Sequence, residues 1–284
     1  MNRRITILSL VLTVSMLNVK AQNVDIPVVG AQVFVEPGQT PEYIDMLYSR
    51  MEDAGMQVGR IRMFGSHVIK EDGTYDFSLY DTAFDAAARH GVKMFVTLFP
   101  PTDELNDVGG FKFPRSEKHL QEILDYTRAV VNHFKDHPAL FCWVLQNEPG
   151  VGGTVNTHGG LSGEKYEEFC RQHPMNRDGY LQADMRPEQF TREYTTWYLK
   201  TIAEAVAECD PVHGRHINPH QVLTTLPEYD FKALSDGIIT SLGSSMHLSW
   251  HFGDFKRYQY TMAVAMISDI IHSAALRRHK VVHS

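Results

Sequence analysis

Cysteine is scarce in this sequence, and its spacing excludes a disulfide framework. The 284 residues contain three cysteines, Cys142, Cys170 and Cys209. An odd number of widely spaced cysteines is not the pattern of a small secreted fold held together by disulfides. One bridge between two of them is compatible with the sequence, and buried or incidental thiols are the other interpretation.

Positive charge and long apolar runs are also in short supply. Lys and Arg number 27 against 34 Asp and Glu, which gives a formal net charge of −7. Because an acidic chain is a poor ligand for nucleic acid, we expect no nucleic-acid partner. No run beyond the N-terminus reaches the roughly 20 apolar residues that a membrane helix needs, so we expect no membrane partner.

The first residues have the pattern of a targeting segment. Arg3 and Arg4 precede an apolar run over residues 5–17 that is too short to span a bilayer, and Ala21 is a small residue at the cleavage position. We therefore predict a secretory signal peptide over residues 1–21 and a protein exported to the periplasm or the extracellular space. A buried N-terminal helix is the alternative. Removal of the segment takes away three positive charges, which changes the net charge from −7 to −10.

Two motifs that would indicate a cofactor are missing. No Gly-x-Gly-x-x-Gly sequence follows the first predicted strand, which argues against a dinucleotide-binding fold. No His-Glu-x-x-His pair occurs, and His213, His216 and His220 have no carboxylate beside them on the predicted strand. We therefore expect neither a metal nor another cofactor.

What the sequence does have is a regular alternation of apolar runs and amphipathic stretches. The apolar runs predict buried strands at residues 28–35, 58–64, 92–98, 140–146, 216–223, 238–242 and 280–283. Helical spacing predicts helices that begin with Thr40, Ser78 and Ser116 as N-caps, and others over residues 187–208 and 255–276. Strands that alternate with helices predict βα units and a parallel sheet.

The length suits one domain of this kind. Without the signal peptide 263 residues remain, and a (β/α)8 TIM barrel needs about 250. Six complete βα pairs and the start of a seventh are visible, so the predicted fold is an incomplete TIM barrel of about six and a half units. Residues 22–284 are then the N-terminal part of the barrel domain. Residues 150–186 are predicted to form a long loop, which folds over the site or makes a subunit contact in an oligomer.

Glu148 is the strongest candidate for chemistry. It follows the apolar run of the fourth predicted strand and precedes Pro149, and catalytic groups of such barrels lie at the C-terminal ends of the strands. A glycosidic oxygen leaves only when it is protonated, and a carboxylic acid at this position can supply the proton. Trp143 and Phe141 are expected to give Glu148 apolar surroundings. The alternative is a loop glutamate that only caps the next turn.

These residues resemble the signature of clan A glycoside hydrolases. Asn147-Glu148-Pro149 at the end of the fourth predicted strand looks like the acid/base motif of that clan. Further motifs occur in an order similar to the catalytic barrel of glycoside hydrolase family 42 and its β-galactosidase and β-mannosidase relatives, at residues 59–64, 72–77, 91–94 and 99–102. The resemblance covers roughly residues 28–284. It implies hydrolysis with retention through a covalent glycosyl-enzyme intermediate.

The same resemblance exposes a gap. Retention needs a second carboxylate about 5–5.5 Å from the first, and in the resembled enzymes it is a Glu at the end of the seventh strand. Here the seventh predicted strand is followed by no Glu up to Ser284. Glu228, Asp230 and Asp254 are not at the required place. The nucleophile is therefore expected to be absent from this chain, as if the barrel were truncated before it.

Other polar and aromatic residues are candidates for binding a sugar. An amide or imidazole can hydrogen-bond hydroxyls, a Trp face can pack on a sugar ring, and clan A enzymes keep an Arg on the second strand. The substrate-binding candidates are Asn147, Arg62, Asn218, His220, His247 and Trp250, with Glu36 at the end of the first strand as a further one. Each has a structural alternative, such as an ion pair inside the barrel for Arg62.

The sequence therefore favours an exported retaining glycosidase for β-linked galactosides or mannosides, inactive as this truncated chain. Its partner is a carbohydrate substrate. A catalytically dead barrel remnant with weak carbohydrate binding is the second hypothesis. An unrelated secreted barrel in which Glu148 is structural is the third.

Overall fold

A computed structural model describes most of the chain up to residue 218 and short pieces after it. The described residues are 28–101, 113–149, 155–174, 184–218, 229–230, 233–234, 237–243, 245, 261 and 280–281. The predicted signal peptide, the predicted helix over residues 255–276 apart from residue 261, and His220, His247 and Trp250 lie outside them.

The strands form one parallel sheet in chain order. Each strand pairs in parallel with the next, and this confirms the predicted alternation of strands and helices. The strands are β1 (Gly30–Val33), β2 (Val58–Phe64), β3 (Lys93–Phe99), β4 (Leu140–Asn147), β5 (Gly214–Asn218), β6 (Ser241–Leu242) and β7 (Lys280–Val281).

Helices connect the strands and begin largely where the sequence indicates. They are α1 (Pro41–Asp53), α2 (Gly65–Val68), α3 (Ser78–Arg89), α4 (Glu117–Phe134), α5 (Gly160–Gln172) and α6 (Arg186–Cys209). Thr40 accepts a hydrogen bond from the Tyr43 amide and Ser116 accepts one from the His119 amide, as N-caps do. None of the helices within the described ranges is long and apolar enough to cross a membrane.

Two local predictions are wrong. Ser78 is the first residue of α3 and not its cap, because its own amide donates to the Asp76 carboxylate at 3.0 Å. The predicted loop over residues 150–186 contains α5. This helix packs on the start of α6 through a small apolar cluster of its own and is tied to the start of α4 by a bond from the Leu161 amide to the Arg115 carbonyl, 2.9 Å.

The two faces of the sheet have different surroundings. Side chains alternate along a strand, so Ile61, Met63 and Leu145 point outward into the main apolar core beneath the helices. Phe95, Cys142 and Val144 form a second cluster on the inner face. The polar side chains of the same strands lie on that inner face, nearer the C-terminal ends, and this is where the candidate site is built.

His90, at the C-terminal end of α3, joins that helix to α1. Its Nδ1 lies 2.7 Å from a Glu52 oxygen and its Nε2 lies 3.3 Å from an Asp45 oxygen. The hydrogen bond with Glu52, more than that with Asp45, raises the pKa of His90 above its usual 6.5. Protonated His90 therefore stabilises the contact between the two helices.

We predict that this contact makes stability depend on pH. Because the pKa of His90 is higher in the folded state, its stabilisation is complete below pH 6.5 and is lost as the pH rises through the folded-state value. In urea unfolding, the free-energy difference between the parent and His90→Gln should shrink as the pH rises. His158→Gln, at an exposed site, should show no such trend. A difference between parent and His90→Gln that is constant with pH would rule out the effect.

Candidate active site

Glu148 follows β4 in an unusual backbone conformation. Its φ of 50° is the only positive value of a non-glycine residue in the described ranges. A residue with a Cβ adopts the left-handed region at a cost of roughly 1–3 kcal/mol, and strained residues of this kind cluster at functional sites. The partly buried Glu148 and the buried Pro149 end the strand. The chain therefore turns sharply where the carboxylate leaves the sheet.

Arg60 links the inner faces of four neighbouring strands. Its Nε donates to the Thr97 hydroxyl on β3 at 2.9 Å, and its Nη2 donates to the Asn147 amide oxygen on β4 at 2.8 Å. In the amide orientation that satisfies its neighbours, Asn218 on β5 accepts from Arg60 Nη2 at 3.3 Å and donates to the Gln146 carbonyl at 3.1 Å. A single guanidinium thus holds the residue that precedes Glu148.

Two guanidinium charges act on Glu148. Burial, and next the charge of Arg62, lower the pKa of Arg60 to about 10, and Glu148 opposes that change. Burial likewise lowers the pKa of Arg62, with Glu148 and Glu36 opposing it. Both arginines remain cationic near neutral pH. Glu148 is therefore an acidic neighbour of both arginines at the mouth of the barrel.

Arg62 lies above Arg60 on the same face of β2. A Gln32 amide oxygen accepts from its Nε at 2.5 Å, and the ring centres of Phe34 and Phe99 lie 5.3 and 5.8 Å from the guanidinium carbon. The sequence singled out Arg62, which does lie near Glu148, and missed Arg60, which holds Asn147. The period of two along the strand places both arginines on one face, and this signal could have identified Arg60.

The other candidates differ in position. Asn147 lies beside Glu148 and is 8% exposed, whereas Asn218 is fully buried and bonded to its neighbours. Glu36, at the rim, is half exposed. Trp143 does not give Glu148 apolar surroundings, because it belongs to the outer core and its indole donates to the buried carboxylate of Asp210 at 2.8 Å.

His216 forms the floor below Arg60. It is fully buried, its Nδ1 lies 2.9 Å from the Ser241 hydroxyl, and its ring packs edge-on against Phe95. Burial, and then the charge of Arg60, lower the pKa of His216 to about 3, so the ring stays neutral. No group of His, Cys, Asp or Glu suited to a metal occurs within the part of the chain that the structure describes.

We predict that the positive φ of Glu148 lowers the stability of the fold. Glu148→Gly and Glu148→Ala both remove the carboxylate, but only glycine adopts positive φ without cost. Glu148→Gly should therefore be more stable than Glu148→Ala by about 1 kcal/mol in urea unfolding. At Glu36, which is outside the left-handed region, the glycine variant should be no more stable than the alanine variant. Equal stability of the two Glu148 variants would contradict the strain.

Known proteins share parts of this sequence and most of this architecture. No family model matches the chain. A probable mannan endo-1,4-beta-mannosidase F of Aspergillus flavus is 28% identical over 142 residues, 39% of this chain and 30% of that protein. The beta-galactosidase BgaB of a Geobacillus species is 28% identical over 134 residues, 39% of this chain and 20% of the other. The chain thus spans about a third or less of the length of these relatives.

Solved structures match over much more of the chain. The β-galactosidase of the psychrophilic Marinomonas ef1 superposes with a TM-score of 0.67 at 13% identity, covering 87% of this chain and 46% of its own. The endo-1,4-β-mannanase of Thermotoga petrophila does so with a TM-score of 0.61 at 16% identity, covering 90% and 78%. The comparisons confirm the predicted barrel fold and the resemblance to clan A glycosidases: in sequence, part of this chain is similar to β-mannanases and a β-galactosidase.

Proposed function

We propose that this chain carries the acid/base half of a retaining glycosidase for β-linked mannosides or galactosides, with Glu148 as the proton donor. The observation that carries the proposal is the position of Glu148: it ends β4 with a φ of 50°, next to an asparagine held by Arg60. Catalytic groups of barrels of this kind lie at the C-terminal ends of strands. The names of the sequence relatives supply the two sugar classes.

The roles of the neighbouring residues follow from their hydrogen bonds. Glu148 gives its proton to the glycosidic oxygen as the bond to the sugar breaks, and it later takes a proton from the attacking water. Because the Asn147 oxygen is engaged by Arg60, its amide nitrogen is the group turned to donate to a sugar hydroxyl.

The second carboxylate of a retaining pair is the part that we do not assign. A nucleophile must lie about 5–5.5 Å from the acid/base group. We propose carbohydrate binding through Glu148 and its neighbours.

Processing and location belong to the same proposal. Residues 1–21 have the pattern of a signal peptide, so we propose export, with residues 22–284 as the N-terminal part of a barrel domain. A catalytically dead remnant that binds sugar weakly is the remaining alternative. The dead remnant would have the same fold, but its Glu148 would not donate a proton to a bound ligand.

A basic sugar analogue can test the proton donor without turnover. A glycoimidazole carries its basic nitrogen where the glycosidic oxygen of a substrate lies, so it hydrogen-bonds the acid/base carboxyl group. By calorimetry with the full chain, we expect the manno- or galacto-configured glycoimidazole to bind about 100-fold more tightly than the free sugar. Glu148→Gln should weaken that binding by roughly tenfold or more.

The matched control is Glu164→Gln, which makes the same change at an exposed position on α5. It should bind the glycoimidazole as the parent does. If Glu148→Gln also binds it as the parent does, Glu148 is not the proton donor. If the glycoimidazole binds no better than the free sugar, the dead remnant is the better account.

A further inference from the structure

His119 joins the two ends of the connection between β3 and α4. The residue is 7% exposed. The Arg115 amide donates to its Nδ1 at 3.2 Å, and its Nε2 lies 2.9 Å from the Pro101 carbonyl oxygen. Pro101 lies just after β3, and Arg115 directly precedes Ser116, the N-cap of α4. We refer to His119, Pro101 and Arg115 together as the histidine clamp.

The two backbone partners determine the charge of the His119 ring. A backbone N–H can only donate and a carbonyl oxygen can only accept, so Nδ1 carries no proton and Nε2 carries one. The ring is therefore neutral and in a single tautomer. A protonated imidazole has a donor on both nitrogens. A proton on Nδ1 consequently removes the hydrogen bond to the Arg115 amide.

The backbone of the clamp also meets the segments that follow β2 and β4. A Cβ on Gly65, the first residue of α2, would lie 2.7 Å from the Pro101 nitrogen. A Cβ on Gly160, the first residue of α5, would lie 2.7 Å from the Arg115 carbonyl oxygen. Such close approaches leave no room for a side chain other than that of glycine. The segments after three neighbouring strands therefore meet at the two backbone groups that the ring holds.

Aromatic rings connect the clamp to the candidate site. Pro101 follows Phe99 by two residues, and the ring centre of Phe99 lies 4.7 Å from that of Phe64 at the end of β2. The Phe99 ring centre also lies 5.8 Å from the guanidinium carbon of Arg62, and Arg62 is electrostatically coupled to Glu148. The backbone that the clamp holds thus carries the rings that pack on Arg62.

The charged side chains near the clamp do not bind its ring. Within the described part of the chain, both ring nitrogens of His119 bond to backbone groups and to no carboxylate. The charged or titratable residues of the elements around the clamp are Arg115, Glu117, Lys118, Glu164, Lys165 and His67. Glu117 lies 3.8 Å from Lys165, and His67 lies 3.0 Å from the Tyr80 hydroxyl. A proton on the ring therefore removes a hydrogen bond, and no carboxylate bonded to the ring compensates for it.

We propose that neutral His119 is a positioning residue that holds together the segments after β2, β3 and β4 at the mouth of the barrel, and that protonation of His119 releases them. The clamp acts through the backbone and touches no substrate. The mouth is therefore ordered at neutral pH and loosens in acid. This goes beyond the proposed function and does not depend on the chemistry that Glu148 performs.

Hydrogen exchange of single amides in the full chain tests the clamp, after correction for the intrinsic pH dependence of exchange. Protection of the Arg115 amide should fall about tenfold per pH unit once His119 takes up its proton, which NMR of the ring reports, because the neutral fraction then falls tenfold per unit. The Leu161 amide, bonded to the Arg115 carbonyl, should lose protection with it. The Tyr43 amide on α1, bonded to the Thr40 hydroxyl, should keep its protection.

Variants that cannot be protonated separate the ring from its charge. His119→Asn places an amide oxygen near the position of Nδ1, so the Arg115 amide should stay protected at every pH. His119→Phe removes both hydrogen bonds and should lower the protection of the Arg115 and Leu161 amides about tenfold or more at every pH. His158→Asn makes the same change as the first variant at an exposed position and should behave as the parent does.

Several results would overturn the proposal. Protection of the Arg115 amide that does not change while His119 takes up its proton rules out the clamp, and so does His119→Asn with the pH dependence of the parent. If His119 stays neutral down to the pH of acid unfolding, release by protonation is ruled out. If the Leu161 amide stays protected when the Arg115 amide is released, the clamp does not hold α5. Glycoimidazole binding that is indifferent to Glu148→Gln overturns the proposed function and leaves the clamp in place.

Discussion

The arrangement of the candidate site depends on a positive charge inside the sheet. Arg60 is held on the inner face by Thr97 and Asn147, and burial makes it less basic while leaving it charged at neutral pH. A buried cation is tolerated only when it is hydrogen-bonded and has an anion nearby. Glu148 is the acidic group that acts on it. The position of Asn147 therefore follows from the hydrogen bond that this guanidinium donates.

The inner face has two layers with different roles. The lower layer is apolar, with Phe95 and Val144 packed around a neutral His216. The upper layer is polar and opens to the mouth. Glu148 is at the boundary between sheet and loop, where a left-handed residue turns the chain outward. The packed layer around His216 and the left-handed backbone of Glu148 together position the carboxyl group.

Much of this could be predicted from sequence because periodicity and caps are local. The apolar runs located β2, β3 and β4, and Thr40 marked the start of α1. The prediction of Ser78 as an N-cap was wrong because its amide donates to Asp76 and the helix begins at Ser78 itself. The prediction of a loop over residues 150–186 was wrong because α5 is stabilised by contacts with α6, which the local sequence does not indicate. Arg60 was missed although the alternation along β2 places it on the same face as Arg62; that Arg60 is the one bonded to Asn147 depends on the neighbouring strands.

The proposed function requires above all that Glu148 faces the reacting bond of a bound glycoside while Arg60 holds Asn147. A crystal structure of the full chain with a glycoimidazole tests it most directly. We predict the imidazole nitrogen within hydrogen-bonding distance of the Glu148 carboxyl group, a sugar hydroxyl on the Asn147 amide nitrogen, and Arg60 still bound to Thr97. A ligand bound elsewhere, or a Glu148 side chain turned away from it, would contradict the account.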